Sequence, residues 1–329
     1  MVVYYISHIL YEKNEAALYS MFSSKYERLG YQLGLRTEYT GRTIEIAGED
    51  NNFTIDRWDY FPSAHLSYEF LVGHQMITSY TRRINRPRGW QLEPNKTWQD
   101  AYNIRVGNAS LLPEYIDSYE FGYQTFFGKS VLSLEAYYRI TNNRIESIQS
   151  AYSEKVTLQS FENIGKDYSL GTELFFNFDP INNWNVNLMG NIYDYKIKGT
   201  LYDKDFSRNS FNWNARFNNT IKIGPSTQVQ INASYNSPSV SAQGRREGFI
   251  FTNLAVKQEL FDKLLTATLQ VRDVFGTAKF EMENQSFDFY SYRHMERESP
   301  VIMLNLRFNI NNYKSRENNN RDVDESIED

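Results

Sequence analysis

Hydrophobic and polar positions alternate one by one along most of this 329-residue chain. From Ser130 to Ile140, Leu132, Leu134, Ala136, Tyr138 and Ile140 share one face, and Ser133, Glu135, Tyr137 and Arg139 share the other. A period of two marks a strand with one apolar and one wet side. Phe211–Ile223 repeats the pattern, setting Phe211, Trp213, Ala215, Phe217, Ile221 and Ile223 against Asn212, Asn214, Arg216, Asn218, Thr220 and Lys222. Such runs exceed the usual soluble strand of about five or six residues. They match a tilted membrane-crossing strand of about 9–11 residues with an extension beyond the bilayer. The same reading places strands at Leu29–Tyr39, Ser63–Phe70, Tyr115–Phe126, Leu170–Phe178, Trp184–Ile192, Gln228–Asn236, Ile250–Glu259, Leu264–Arg272 and Val301–Ile310. Weaker strands fall near Ala16–Ser23 and Gln75–Thr81, for about 13 in all. No stretch carries a 3.6-residue period for a full helix length.

The connections alternate in length. Short turns are expected at Lys25–Arg28, Val72–His74, Phe127–Lys129, Asp179–Asn183, Gly224–Ser226 and Phe261–Lys263. Long polar segments are expected at Thr40–Arg57, Arg83–Pro113, Ser147–Lys166, Gly199–Arg208, Ser237–Glu247 and Val274–Ser299. Outer-membrane barrels keep their short turns on the periplasmic side and their long loops outside, whereas a soluble sandwich has no reason to. Tyr26, Tyr31, Phe70, Phe126, Phe127, Phe178, Trp184 and Phe261 stand by the short turns. Tyr39, Trp58, Tyr60, Tyr115, Tyr193, Tyr195, Trp213 and Phe249 stand toward the long ones. Two such levels are expected as interfacial girdles.

Composition sharpens this picture. A content of 16% aromatic residues excludes a disordered chain, and the absence of cysteine excludes a disulfide scaffold or a thiolate metal site. The net charge of −5 argues against nucleic-acid binding through a basic face. A mean hydropathy of −0.60 rules out helical spans but not strands that leave half of their residues in water. The first residues lack the basic flank and cleavage site of a signal peptide. The segment 314–329 is expected to be a disordered charged tail behind a barrel portion at 1–313.

Candidate chemistry is sparse. His8, His65, His74 and His294 show no metal-ligand spacing, so no metal site is expected. Ser63, His65 and Ser67 share the polar face of one strand, and a lumen-facing polar row is expected there rather than a catalytic set. The acidic stretch Gly48–Asp56 lacks the alternating ligands of a calcium loop and reads as a solvated loop. The segment from Arg82 to Glu114 stands out. Arg83, Arg86, Arg88, Trp90, Trp98 and Tyr102 offer guanidinium forks and aromatic faces suited to anionic or sugar ligands. The same arginines equally suit pairing with carboxylates on neighbouring strands.

Here a resemblance enters. Ser79-Tyr-Thr-Arg-Arg-Ile-Asn-Arg-Pro87, Asn103-Ile-Arg-Val-Gly-Asn-Ala-Ser-Leu-Leu-Pro-Glu-Tyr115, Ser118-Tyr-Glu-Phe-Gly-Tyr123, Glu162-Asn-Ile-Gly165, Gly171-Thr-Glu173 and Leu304-Asn-Leu-Arg-Phe308 are similar to the TonB-dependent outer-membrane receptors of Bacteroidota, within their outer-membrane β-barrel family. The resemblance implies an all-β, antiparallel transmembrane barrel in the outer membrane of a Gram-negative cell, built by the barrel-assembly machinery and facing lipid. It also implies uptake of a scarce ligand such as an iron chelate, corrinoid or glycan, with no enzymatic activity and no cofactor. Neither a plug domain nor a TonB box is found in the sequence, and about 13 strands fall short of the 22 or so of a plugged transporter. The chain is therefore expected to be the C-terminal part of such a barrel, coupled to the TonB complex only through a plug it does not carry. The rival is an autonomous pore of about 14 strands, in which Glu135, Arg139, Glu173, Arg216, Lys222, Arg272 and Arg307 line water. A soluble sugar-binding solenoid or sandwich would need a second apolar layer over rows such as Ile302, Leu304 and Leu306.

Overall fold

The computed structural model describes residues 9–47, 52–286 and 289–309. The tail boundary at 313, Ile310, His8 and the Gly48–Asn51 part of the acidic stretch lie outside the described residues. In chain order the strands are β1 (Ile9–Tyr26), β2 (Leu29–Ile46), β3 (Phe53–Leu71), β4 (His74–Asn85), then a helical turn α1 (Gly89–Leu92), β5 (Thr97–Asp100), β6 (Asn103–Arg105), β7 (Glu114–Phe127), β8 (Ser130–Asn142), β9 (Ile145–Ser153) and β10 (Val156–Asn163). They continue as β11 (Lys166–Ile181), β12 (Trp184–Leu201), β13 (Lys204–Ile223), β14 (Thr227–Asn236), β15 (Ser239–Val240), β16 (Gly244–Arg246), β17 (Phe249–Leu260), β18 (Leu265–Arg272), β19 (Lys279–Gln285), β20 (Tyr290–Glu296) and β21 (Val301–Phe308). Thirteen strands form one sheet in the order β1-β2-β3-β4-β7-β8-β11-β12-β13-β14-β17-β18-β21. The fold is all-β, and the sheet has the strand number that the periodicity predicts.

The register turns the alternation into two faces. Tyr80, Tyr119, Tyr138 and Leu170 lie side by side across β4, β7, β8 and β11, with the first two rings 5.0 Å apart. Farther along, Val271 pairs with Ile302 and Leu269 with Leu304. This apolar outer face is bare: Leu18 is 73% exposed and Leu304 64%. Among the described residues no second layer covers it, as the sandwich reading would require, and an uncovered apolar sheet face is what contact with lipid demands. No helix among the described residues is long and apolar enough to cross a membrane.

The short turns fall where they are expected, several with a left-handed glycine: Gly73 (φ 77°), Gly128 (φ 60°) and Gly224 (φ 67°). The long connections differ from the sequence reading. Gly199–Arg208 is not a loop, because β12 and β13 continue through it to a tight turn at Tyr202–Asp203, with φ of 52° and 58°. Two left-handed central residues make the hairpin turn whose twist matches its strands. Without glycine or asparagine at the tip, no turn signal marked it. Thr40–Arg57 is likewise mostly ladder, as β2 and β3 pair up to Ile44 and Phe53. The register also corrects part of the outer girdle. Tyr193 and Tyr195 lie opposite Asn212 and Ser210 on the polar inner face, and Phe249 packs inward on Phe280 at 4.7 Å.

The other long segments fold into two further sheets, β5-β6-β10-β9 and β15-β16-β19-β20. They sit on the inner face at the end opposite the short turns, where that face becomes apolar. Ile44 of β2 packs with Leu92, Ala109, Leu111 and Phe161, and Ile197 of β12 packs with Ile148, Ile164 and Ala242. The buried hydrophobic clusters therefore lie between wall and loops. One contact fixes their approach: a Cβ added at Gly199 would lie 1.4 Å from the Ile164 carbonyl oxygen. Gly199→Ala is therefore expected to destabilise the folded chain by at least about 3 kcal/mol, the upper end of the usual overpacking cost. A lowered urea midpoint with unchanged outer-membrane targeting is the readout.

Candidate functional site

The residues gathered at the long-connection end form a polar framework before they form anything else. Asn108 accepts the Ser110 N–H at 3.0 Å through Oδ1 and donates Nδ2 to the Phe161 carbonyl at 2.9 Å. Asn163 donates Nδ2 to the carbonyls of Leu112 (3.0 Å) and Asn143 (2.8 Å) and accepts the Leu112 N–H at 2.8 Å. The motifs around Gly107-Asn-Ala-Ser and Glu162-Asn-Ile-Gly165 thus hold each other. An asparagine side chain suits this because it presents a donor and an acceptor to backbone that no ladder can satisfy. Gly107 is required on the same grounds, since a Cβ there would lie 2.5 Å from the Glu93 carbonyl oxygen.

Arg144, between β8 and β9, is the electrostatic centre of this framework. Its guanidinium meets Glu146 at 3.0 Å, Asp167 at 3.3 Å and Glu114 at 3.4 Å. Burial alone would lower its pKa, but the three carboxylates outweigh it and hold the group above its ordinary value, so it stays charged. Glu114 also accepts the Ile145 N–H at 2.7 Å and Asn85 Nδ2 at 2.5 Å. One carboxylate, 2% exposed, therefore ties β4, β7 and the start of β9 together.

A second polar node joins the two accessory sheets. Gln149 of β9 donates its backbone N–H to Gln243 Oε1 at 2.7 Å, and Gln243 Nε2 donates back to its carbonyl at 2.9 Å. Its side-chain Oε1 accepts from Asn284 Nδ2 and from the Ser291 hydroxyl, each at 3.1 Å. The preceding loop is pinned by Asp273, which accepts the N–H groups of Thr277 and Ala278, both at 3.1 Å. Burial pushes that carboxyl up, but these donors together outweigh it and hold it below the ordinary range.

The residues singled out in the sequence separate here. Arg86 is committed to structure, pairing with Glu38 and Glu15 and donating to Thr40 Oγ1 at 3.1 Å. Arg82 pairs with Asp117 at 3.4 Å. Pairing across strands thus accounts for both. Trp90 packs edge-on against Phe161 at 5.0 Å, with Arg105 over its ring at 5.2 Å. Arg83 and Arg88 are exposed, as are Trp98 (58%) and Tyr102 (62%) on the first accessory sheet. Glu135, Arg139, Glu173, Arg216, Lys222, Arg272 and Arg307 all fall on the inner face, where Glu135 stands directly opposite Glu173. Glu135, Glu173, Asn191, Asn214 and Arg216 line a concavity of about 430 Å³ there. Ser63, His65 and Ser67 alternate along the same face, His65 opposite Gln32 and Ser79. No cluster of three metal-ligating side chains occurs among the described residues. Sequence reasoning missed Glu114, Arg144, Gln149, Asp167 and Gln243, because key partners lie from 23 to 142 residues away and no local spacing announces them.

Comparisons with known proteins agree with this geometry. The sequence matches the family described as "Outer membrane protein beta-barrel family" over residues 5–308. No curated protein matches it. Among solved structures, it superposes on the ferric yersiniabactin uptake receptor FyuA from Yersinia pestis with TM-score 0.62 and 12% identity, covering 91% of this chain and 46% of that one. It superposes on the siderophore receptor PiuA from Acinetobacter baumannii with TM-score 0.63 and 13% identity, covering 86% and 42%. For the copper transporter OprC the values are 0.60 and 14%, covering 81% and 42%. The chain thus spans less than half the length of these three structures, and at these identities the likeness is one of fold.

Two outcomes test the framework. Arg144→Leu leaves three carboxylates without their cation; with the Arg144 side chain 34% exposed, a cost of about 2–4 kcal/mol is expected, below the 3–5 of a fully buried pair. Amide exchange should accelerate in β9 and β10 before the wall. For Asp273 the folded pKa is depressed, so its contribution is present above the unfolded value of about 3.9 and is lost as pH falls through the lower folded value. Exchange protection at Thr277 and Ala278 should therefore persist through about pH 4 and fail only at lower pH, once the depressed folded value is passed.

Proposed function

Because the chain belongs to the outer membrane protein β-barrel family and resides in the outer membrane of the cell, we propose that it forms part of the wall of a larger TonB-dependent receptor that takes up a scarce ligand. The observation that carries this reading is the state of the two sheet edges. Among the described residues, β1 pairs only with β2 and β21 only with β18. With every neighbour antiparallel, the first and thirteenth strands run in the same direction, so they cannot close on one another by antiparallel pairing. An unpaired edge is not tolerated in lipid, where each orphan backbone group costs several kcal/mol. Closure then takes an odd number of further strands, and a barrel of about 22 leaves about nine. The coverage of 42–46% of two matched structures likewise leaves room for further strands and a plug.

In such a receptor the accessory sheets stand at the outer mouth, and the polar inner face lines the lumen. Glu135, Arg139, Glu173, Arg216, Lys222, Arg272 and Arg307 would face water or a plug, and Arg83, Arg88, Trp98 and Tyr102 are free to meet ligand. The outer apolar rows face lipid, and the barrel-assembly machinery would insert them. Iron chelates, corrinoids and glycans remain the ligand classes to be tested in uptake.

Planar-bilayer recording on the purified chain tests the reading. The chain alone should give no stable unitary conductance, and co-folding with the complementing strands of a full receptor should give a closed, heat-modifiable barrel. Stable stepwise conductance from the chain alone would overturn it in favour of an autonomous pore.

A further inference from the structure

A recess of about 270 Å³ lies between the wall and the second accessory sheet, and its lining comes as two facing rows. Tyr193 of β12 and Asn212 of β13 stand opposite each other in the ladder on the inner face. Ser239, Arg246 and Met282 are aligned in register across β15, β16 and β19. All five residues line the recess. The alignment of each row follows from strand pairing, so the side chains are held by the fold rather than by one another.

Asn212 singles this recess out. It is only 4% exposed, yet its Oδ1 has no hydrogen-bond partner. A buried acceptor left unpaired is costly, and such a group in a native fold calls for an explanation. No protein donor reaches it among the described residues. The Ser241 hydroxyl oxygen accepts the Gly244 N–H at 3.1 Å, and Arg245 Nε pairs with Glu247 at 2.9 Å. Glu146, also in the lining, is held by Arg144 at 3.0 Å. Arg246 takes part in no ion pair among the described residues, and it faces the recess from the same row as Ser239.

We propose that this recess binds a single sugar-sized ring bearing hydroxyls and one carboxylate, that is, a uronic acid residue. A ring hydroxyl donates to Asn212 Oδ1 and satisfies the buried acceptor. The Arg246 guanidinium takes the carboxylate, for which its planar fork is matched. Tyr193 and Met282 supply apolar contact to the ring. Size decides against bulkier ligands, since sites for drug-sized molecules occupy about 300–1,000 Å³. Charge favours an acidic sugar, because Arg246 offers a guanidinium that no carboxylate occupies among the described residues. The inference rests on the receptor reading above, and it names one ligand class for the mouth of that receptor.

Outer membranes isolated from the native cell provide the assembled receptor for the test. Membranes carrying the wild-type chain should bind radiolabelled galacturonate saturably, at least about tenfold more tightly than galactose, equivalent to about 1.4 kcal/mol. Membranes from a strain deleted for the gene should not. Arg246→Gln should abolish the preference for the acid, Arg246→Lys should keep part of it, and Asn212→Ala should weaken both sugars. Protein level in the outer-membrane fraction verifies that each variant is assembled. Equal affinity for the two sugars, no binding by normally assembled wild-type chain, or full retention by assembled Arg246→Gln would overturn the proposal. Any of these would leave the receptor reading standing, because that reading is judged by conductance and closure.

Discussion

Backbone hydrogen bonding without water is the constraint from which this structure follows. In a hydrocarbon layer every N–H and C=O needs a protein partner, and only a helix or a closed set of strands supplies them all. With no apolar run long enough for a helix, the chain commits its groups to ladders between neighbours. Its outer surface is free to be apolar because nothing polar is left to expose there. The same constraint makes the two edges of the thirteen-stranded sheet informative: β1 carries eighteen residues of ladder on one side only.

Where the strands rise past the apolar outer belt, the physics changes. The inner face gains Ile44, Ile197 and their neighbours, and the connecting segments come back onto them as sheets. These sheets are slight, since each includes strands of only two to four residues. Buried polar groups therefore position them: Glu114 and Arg144 against the wall, Gln149 against Gln243 and Asn284. Half-satisfied, such networks cost more than an apolar core, but fully connected they specify one arrangement.

The wall was legible in the sequence because its signal is local. Period-two alternation in Ser130–Ile140 and Phe211–Ile223 needs no knowledge of partners, and the register later aligns the same residues. Loop lengths were less legible. A positive-φ turn at Tyr202–Asp203 carries no glycine, so two strands looked shorter than they are. The accessory sheets were invisible for a different reason. Four of their strands are only two to four residues long, too short for any period to show, and the sheets are held by contacts remote in sequence. Of the arginine-rich segment, the alternatives weighed from sequence divide by residue: Arg82 and Arg86 are absorbed in ion pairs, while Arg83, Arg88, Trp98 and Tyr102 remain at the surface.

The Gln149 node has a consequence for the order of assembly. Its partners Asn284 and Ser291 lie 135 and 142 residues downstream. The short-turn hairpins of the wall close over a few residues each, whereas this junction spans more than a third of the chain. Contacts of such sequence separation form late, because the loop entropy they cost must first be offset by structure already in place. The link between the two accessory sheets is thus a long-range closure, one that the paired wall strands between them bring together.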